Sequence, residues 1–364
     1  MSAKGYRVVQ WATGDVGRRA MREVIRHPSL DLVGVLVYNT DKAGRDAGEI
    51  CGEAPTGIKA TTDRDSIFGL KADCVLYMPR AAGAAHARAG LTIPQVLDDV
   101  VTLLESGTNI ITTCTDFHAG GHPRLGEGLA RIRAACERGK SSLYATGTDP
   151  GLVLEQISYG FLCAQRKVES IEVIEYGDLS QRPSPNMIFD QMGFGKPMKD
   201  FSPEGWAAHL LEEYGGPLSE LAGAAGFKVD GTSSRGEVAA ARHDTKIVAG
   251  GIKAGTLAAQ RFIMAAHAGG KEVVRLDQYA YVTRDVEPAW ELRGSGWRVR
   301  VNGDAPFDAD LTFPVPPEKI GSYVPAYNAN LPVNAIPYVC AAAPGILTAE
   351  DFPPIVPRGP RRKT

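Results

Sequence analysis

Along the first 150 residues, short apolar runs alternate with segments whose apolar positions recur every three or four residues, the pattern of buried strands and amphipathic helices taken in turn. Residues 6–11 read as a first strand, 16–27 as a helix and 30–38 as a second strand. Further strands are expected at 72–78, 109–114 and 142–146, with helices at 63–69, 94–106 and 126–138. Such alternation predicts an α/β fold whose first domain is a doubly wound parallel sheet, with its ligand crevice at the carboxyl ends of the strands. After Gly151 the pattern changes. Residues 168–176, 272–282 and 297–301 alternate apolar and polar positions, the mark of strands with one wet face, and helical spacing lies between them at 202–214 and 217–226. This predicts a second, α+β domain built on a mixed or antiparallel sheet. The expected division is 1–150, 151–330 and a segment 331–364 that returns to the first domain through a helix at 330–343 and ends in an irregular strap at 352–360.

Composition excludes some classes of function. The chain has 364 residues, of which 44% are hydrophobic and 23% charged, with a net charge of -2. That is an ordinary globular balance, with no electrostatic case for nucleic acid or an anionic membrane as partner. The dense basic run Arg358, Arg361, Arg362, Lys363 reads as a solvated, frayed end. No apolar run approaches the roughly 20 residues that span a bilayer, and the first strand follows Gly5 without an apolar leader. A cytoplasmic protein is expected. The six cysteines form no CxxC pair, which points to reduced thiols and no metal site.

The run Val8-Val9-Gln10-Trp11-Ala12-Thr13-Gly14-Asp15-Val16-Gly17 is an apolar strand ending in a tight turn that opens a helix. Against the GxGxxG consensus, Ala12 stands at the first glycine position, with Gly14 and Gly17 at the second and third. Gly14 lets the backbone approach a pyrophosphate, and Gly17 lets the helix pack closely on the strand. The helix N-terminus then offers free N–H groups and a positive dipole end to the phosphates. An ordinary glycine turn would read the same in isolation. Its place at the first strand of a continuing βαβ series favours a Rossmann-type dinucleotide site built from Ala12, Thr13, Gly14, Asp15, Val16 and Gly17. Strand two of such a domain commonly ends in an acid that bonds the ribose 2′-OH of NAD. Here Asn39, Thr40 and Lys42 follow, with Arg45 close behind. These suit a 2′-phosphate and favour NADP(H) over NAD(H), the alternative being plain surface turn residues.

Met78, Pro79 and Arg80 follow a buried strand at the same edge and would pass beside the nicotinamide ribose, unless Arg80 is a solvated loop cation. Asp116 and His118, with His122 just beyond, follow the next strand. Titratable groups there are placed to protonate a developing alkoxide or to activate an amine; the alternative is a capping Asp and two surface histidines. Asp149 before Pro150 is an N-cap arrangement that reads as hinge and cofactor floor. In the second domain Tyr176 leads the candidates for the substrate side, with Asp178, Gln181, Asn186 and the stretch Met192-Gly193-Phe194-Gly195.

At these residues the chain resembles the dihydrodipicolinate reductase-like family, and more closely its 2,4-diaminopentanoate dehydrogenase and native amine dehydrogenase branch. The resemblance covers nearly the whole length. It rests on the turn from Trp11 to Gly17, on Lys42-Ala43-Gly44-Arg45-Asp46-Ala47-Gly48-Glu49 and on Gly147-Thr148-Asp149-Pro150-Gly151. It continues through the Met192 stretch, Gly255-Thr256-Leu257-Ala258-Ala259-Gln260-Arg261-Phe262 and Val333-Asn334-Ala335-Ile336-Pro337. The resemblance implies reduction of a C=O or C=N bond by NAD(P)H in a homodimer. It also implies, for amine-forming members, a glutamate after the strand ending at Cys114, where this chain has Thr115 and the shorter carboxylate Asp116. The His-rich helix with a neighbouring lysine of the diaminopimelate-pathway reductase is missing, which argues against lysine biosynthesis.

The expected function is therefore an NAD(P)H-dependent dehydrogenase or reductase, with Asp116 and His118 as acid–base groups and Tyr176 on the substrate side. Its partner would be a small carbonyl or amine substrate. Reductive amination competes with plain carbonyl or alcohol chemistry without ammonia. A reading of another class is a catalytically inactive NADPH-binding sensor or structural protein, motivated by Ala12 and by the missing glutamate.

Overall fold

The strand–helix alternation begins with β1 (Tyr6–Trp11), α1 (Asp15–Arg26), β2 (Leu30–Leu36), the short α2 (Ala47–Cys51), β3 (Ala60–Thr61), α3 (Arg64–Phe68) and β4 (Cys74–Tyr77). It continues through α4 (Ile93–Glu105), β5 (Asn109–Thr112), α5 (Gly128–Gly139) and β6 (Ser142–Ala145). The structure is a computed structural model that describes residues 5–79 and 92–357, so Arg80 and the basic tail lie outside the described residues. The chain divides into two units, Met1–Leu152 with Val324–Thr364, and Val153–Tyr323.

In the first unit the strands are joined by β16 (Gly345–Leu347), and the order across the sheet is β16-β6-β5-β4-β1-β2-β3. Every pair is parallel. Without β16 this is the 3-2-1-4-5-6 order of a doubly wound dinucleotide-binding sheet, with its reversal between β1 and β4. Because successive side chains of a strand point to opposite faces, Val9 and Trp11 join one core layer and Val8 the other. The first layer is closed by Val96 and Val100 of α4 and Ile132 of α5. The second is closed by Ala20 and Val24 of α1 and by Val333 and Ile336 near the C-terminus. Those last residues sit on a helix running Pro317–Val339, which starts earlier and ends sooner than the 330–343 expected. The two- and three-residue strands β3 and β16 are too short to leave a periodic trace in the sequence.

The second unit contains α6 (Ser158–Leu162), β7 (Val168–Asp178), α7 (Pro203–Ala224) and β8 (Gly231–Ala241), then β9 (Thr245–Ile247), β10 (Gly250–Ile252), β11 (Leu257–Ala268) and β12 (Lys271–Tyr281). It continues with β13 (Val286–Glu287), β14 (Gly296–Gly303) and β15 (Phe307–Thr312). Its main sheet has the order β13-β8-β11-β12-β7-β14-β15 and is mixed: β7 and β12 are parallel, the other pairs antiparallel. One expectation is corrected here. The two helices expected at 202–214 and 217–226 are one helix, α7, with Pro217 inside it. Proline removes a backbone donor and normally breaks a helix, but Ala207, Leu218, Leu221 and Ala222 are all buried along it. Burying that stripe outweighs the lost hydrogen bond. The helix Pro317–Val339, α8 below, begins in this unit and enters the first at Val324. Among the described residues no helix is long and apolar enough to cross a membrane.

Candidate active site

β1 ends in a turn whose geometry accounts for each of its small residues. Ala12 has φ +73°, a left-handed conformation that a side chain adopts only with strain, at the position where the consensus has glycine. Gly17 lies against the turn it follows: a Cβ there would come within 2.2 Å of the Ala12 carbonyl oxygen. Gly14 caps α1, and a Cβ on it would meet nothing within 4 Å, which leaves open space beside the helix N-terminus. The buried Gln10 holds the turn from beneath, its Nε2 donating to the Ala12 carbonyl at 2.9 Å and the Leu76 carbonyl at 3.3 Å. This link between β1, its turn and β4 was not anticipated from the sequence, because a glutamine inside an apolar strand gives no signal of its partners.

A cavity of about 480 Å³ opens at this turn, lined by Ala12, Thr13, Gly14, Asp15, Val16, Tyr38, Asn39, Lys42, Met78, Pro79, Thr113 and Asn328. It therefore gathers the expected cofactor residues, with three exceptions. Gly17 is packed behind the turn, Thr40 is exposed beside the cavity without lining it, and Arg80 is not described. Lys42 donates from Nζ to the Thr13 carbonyl at 2.8 Å and to the Thr13 hydroxyl at 3.3 Å. An ammonium has three donors, so a third is left for a ligand. Desolvation holds the Lys42 ammonium below its usual pKa, Arg18 and Arg45 push the same way, and Asp15 opposes them. Arg18 of α1, missed in the sequence, thus forms one cationic group with Lys42 and Arg45. Tyr38 receives the indole N–H of Trp11 at 2.8 Å, and burial raises its phenol pKa. The residues fit a dinucleotide: open space at Gly14, free helix N–H groups at α1, and cations where a ribose phosphate would lie.

A smaller cavity of about 70 Å³ shares Thr113 and Asn328 with the first and is lined also by Cys114, Thr115, His118, Ala145, Thr146, Gly147, Asp149 and Pro150. It sits at the carboxyl ends of β5 and β6. His118 is 3% exposed, and its Nδ1 accepts the Gly120 N–H at 3.4 Å, so the neutral ring carries its proton on Nε2. Asp116 is 1% exposed in the turn after β5 and does not line either cavity; the neighbouring Thr115 does. His122 accepts the Arg124 N–H at 3.0 Å and caps a short turn. Asp149 is not a helix cap. Residues 149–151 are non-helical, Gly151 at φ +126° breaks the backbone path, and Asp149 forms cavity wall instead. Burial pushes the Cys114 thiol up to about 12, which makes it a core group and not a nucleophile.

In the second unit Tyr176 stacks on Tyr279 with ring centroids 5.2 Å apart and the Arg293 guanidinium over its face; burial raises its hydroxyl pKa. Phe194, expected in a substrate wall, is a core residue at 1% exposure. Asn186 bonds Asp190, and the Met192 carbonyl receives Gln260 Nε2.

The fold and the turn define a Rossmann-type, NAD(P)-dependent oxidoreductase. The chain belongs to the 2,4-diaminopentanoate dehydrogenase family: the model of that family's C-terminal domain matches residues 152–359. An amine dehydrogenase of Streptomyces virginiae is 27% identical over 358 residues, 95% of each chain. A 4-hydroxy-tetrahydrodipicolinate reductase of Synechocystis is 36% identical over 63 residues, 17% of this chain and 23% of its own. Among solved structures, an amine dehydrogenase from Mycobacterium smegmatis has the same fold, with a TM-score of 0.74 at 15% identity over 97% of each chain.

Proposed function

We propose that this protein is a cytoplasmic, NADP(H)-preferring amine dehydrogenase that reductively aminates a small ketone or aldehyde. The observation that carries the reading is the pair of adjoining cavities at the carboxyl edge of one parallel sheet. The larger has the glycine turn and the cation that a dinucleotide needs, and the smaller is walled in part by His118 and Asp149. Full-length similarity to an amine dehydrogenase supports the substrate class.

A nicotinamide dinucleotide, when bound, supplies the hydride. Ala12 to Val16 and Met78-Pro79 would hold it, with Asn39, Lys42, Arg18 and Arg45 at its 2′-phosphate. Lys42 favours the phosphate because its partly desolvated charge meets an anion at close range. His118 moves a proton at Nε2 to or from the substrate nitrogen or oxygen, and Asp149 in the same wall orients the polar substrate. Asp116 stands behind that wall and positions the turn that carries Thr115 and His118. The working form is a homodimer, as the family resemblance implies.

Carbonyl reduction without ammonia is the second reading. It is favoured by Thr115, a hydroxyl that takes no proton from ammonium, which lines the small cavity where the resemblance implies a glutamate after β5. Fluorescence titration with NADPH and NADH, then a carbonyl panel with and without ammonium, separates the readings. NADPH oxidation that needs ammonium is the expected result, and oxidation without it would establish the second reading. Binding without turnover would leave a sensor. His118→Asn should lower kcat by about 10²–10⁴ with cofactor affinity unchanged.

A further inference from the structure

Asn328 of α8 lines both cavities and stands where they meet. Its amide is held by the turn after β6. Thr148 donates its backbone N–H to Asn328 Oδ1 at 2.7 Å and its hydroxyl to the same oxygen at 3.1 Å. A backbone N–H can only donate, so the atom facing Thr148 must be the amide oxygen. Nδ2 is therefore turned away from Thr148, with both of its N–H groups directed elsewhere. The approach depends on Gly147, where a Cβ would lie 2.7 Å from Asn328 Oδ1. Two residues far apart in sequence are thus shaped to hold one neutral donor in a fixed orientation at the junction.

We infer that Asn328 Nδ2 donates to the carboxamide oxygen of the nicotinamide ring and so selects the ring face presented to the small cavity. The inference rests on the dinucleotide reading above. Three observations choose this ligand group. The junction lies between the phosphate-binding turn and the cavity walled by His118 and Asp149, where the reactive ring of a dinucleotide must lie. An uncharged N–H pair matches an uncharged amide oxygen, whereas a phosphate draws cations such as Lys42. Thr113, the other residue common to both cavities, has a hydroxyl able to accept from the carboxamide nitrogen.

The test is Asn328→Asp, which keeps an oxygen for the Thr148 N–H and removes both donors, with Asn328→Ala beside it. Affinities are measured by calorimetry for NADPH and for 2′-phospho-ADP-ribose, which lacks the nicotinamide. The expected result is a Kd for NADPH about tenfold higher in both variants, the scale of one lost hydrogen bond, with 2′-phospho-ADP-ribose bound as in the wild type. Unchanged NADPH affinity in Asn328→Asp would overturn the assignment. So would equal weakening of both ligands, which marks a structural role, or a raised substrate KM with cofactor affinity intact, which moves the contact to the substrate. Failure of the wild type to bind either nucleotide would instead remove the dinucleotide reading on which this rests.

Discussion

Single atoms decide much at the turn after β1. A methyl group on Gly17 would lie 2.2 Å from the Ala12 carbonyl oxygen and 2.9 Å from Gln10 Nε2, both fixed parts of the turn. Backbone cannot retreat as a flexible side chain does, so Gly17→Ala should lower stability by about 3 kcal/mol. A urea melt monitored by circular dichroism would show it, and an unchanged midpoint would refute the close-packing account. The same turn shows what residue types reveal and conceal. Gly14 and Gly17 were readable from their spacing, and of the two only Gly17 is held to glycine by its neighbours. Ala12 departs from the consensus and holds the strained φ of +73° nonetheless, a compromise visible only in the backbone. Asp116 led His118 as the acid–base candidate in sequence, the two standing two residues apart after one strand. The turn directs one to the cavity and buries the other behind it.

At the scale of elements, the block 42–49 that carries part of the family resemblance is a folding device, and its Lys42 also lines the larger cavity. Asp46 caps α2: its carboxylate accepts the N–H of Gly48 at 2.9 Å, of Thr56 at 2.9 Å and of Gly57 at 2.8 Å. Those donors, Thr56 first, hold its pKa below the ordinary 3.8. A carboxylate with a lowered folded-state pKa stabilises the fold fully above its unfolded pKa, and that contribution is lost as pH falls through the folded value. Asp46→Asn should therefore reduce stability at neutral pH and flatten the loss of stability below about pH 4. Thermal melts across pH 2–7 would check both, and parallel curves for variant and wild type would contradict the linkage. Two other family blocks join in the same manner. Gln260 Nε2 reaches the Met192 carbonyl, and Gly195 and Lys196 pair with Leu257 through the backbone. Each block alone reads as loop or strand; their contact explains why they occur together.

For the whole molecule, the proposed preference for NADP(H) is the reading most open to direct test. Lys42→Ala removes the cation that ties the turn to the end of β2 and faces the cavity. The Kd for NADPH should rise tenfold or more, about the 1.5–3 kcal/mol of a charge-assisted hydrogen bond, while NADH binding changes little. Equal losses for the two cofactors would show that Lys42 serves the turn alone.

Hydrophobic periodicity was enough to predict a doubly wound first sheet and a second sheet, mixed or antiparallel, and one glycine-spaced turn marked the candidate dinucleotide site, because alternation, helical spacing and glycine geometry are local properties of the chain. Tertiary structure alone decided three things. It ran α7 through Pro217, because burial of a continuous apolar stripe outweighs a local helix breaker. It turned Asp149 from a cap into cavity wall, because Gly151 redirects the backbone. And it brought Asn328 from the C-terminal helix to Thr148 and Gly147, a contact spanning 180 residues. Nothing in the local pattern of either segment encodes such a meeting, since it depends on how the sheet closes and which helix returns to cover it.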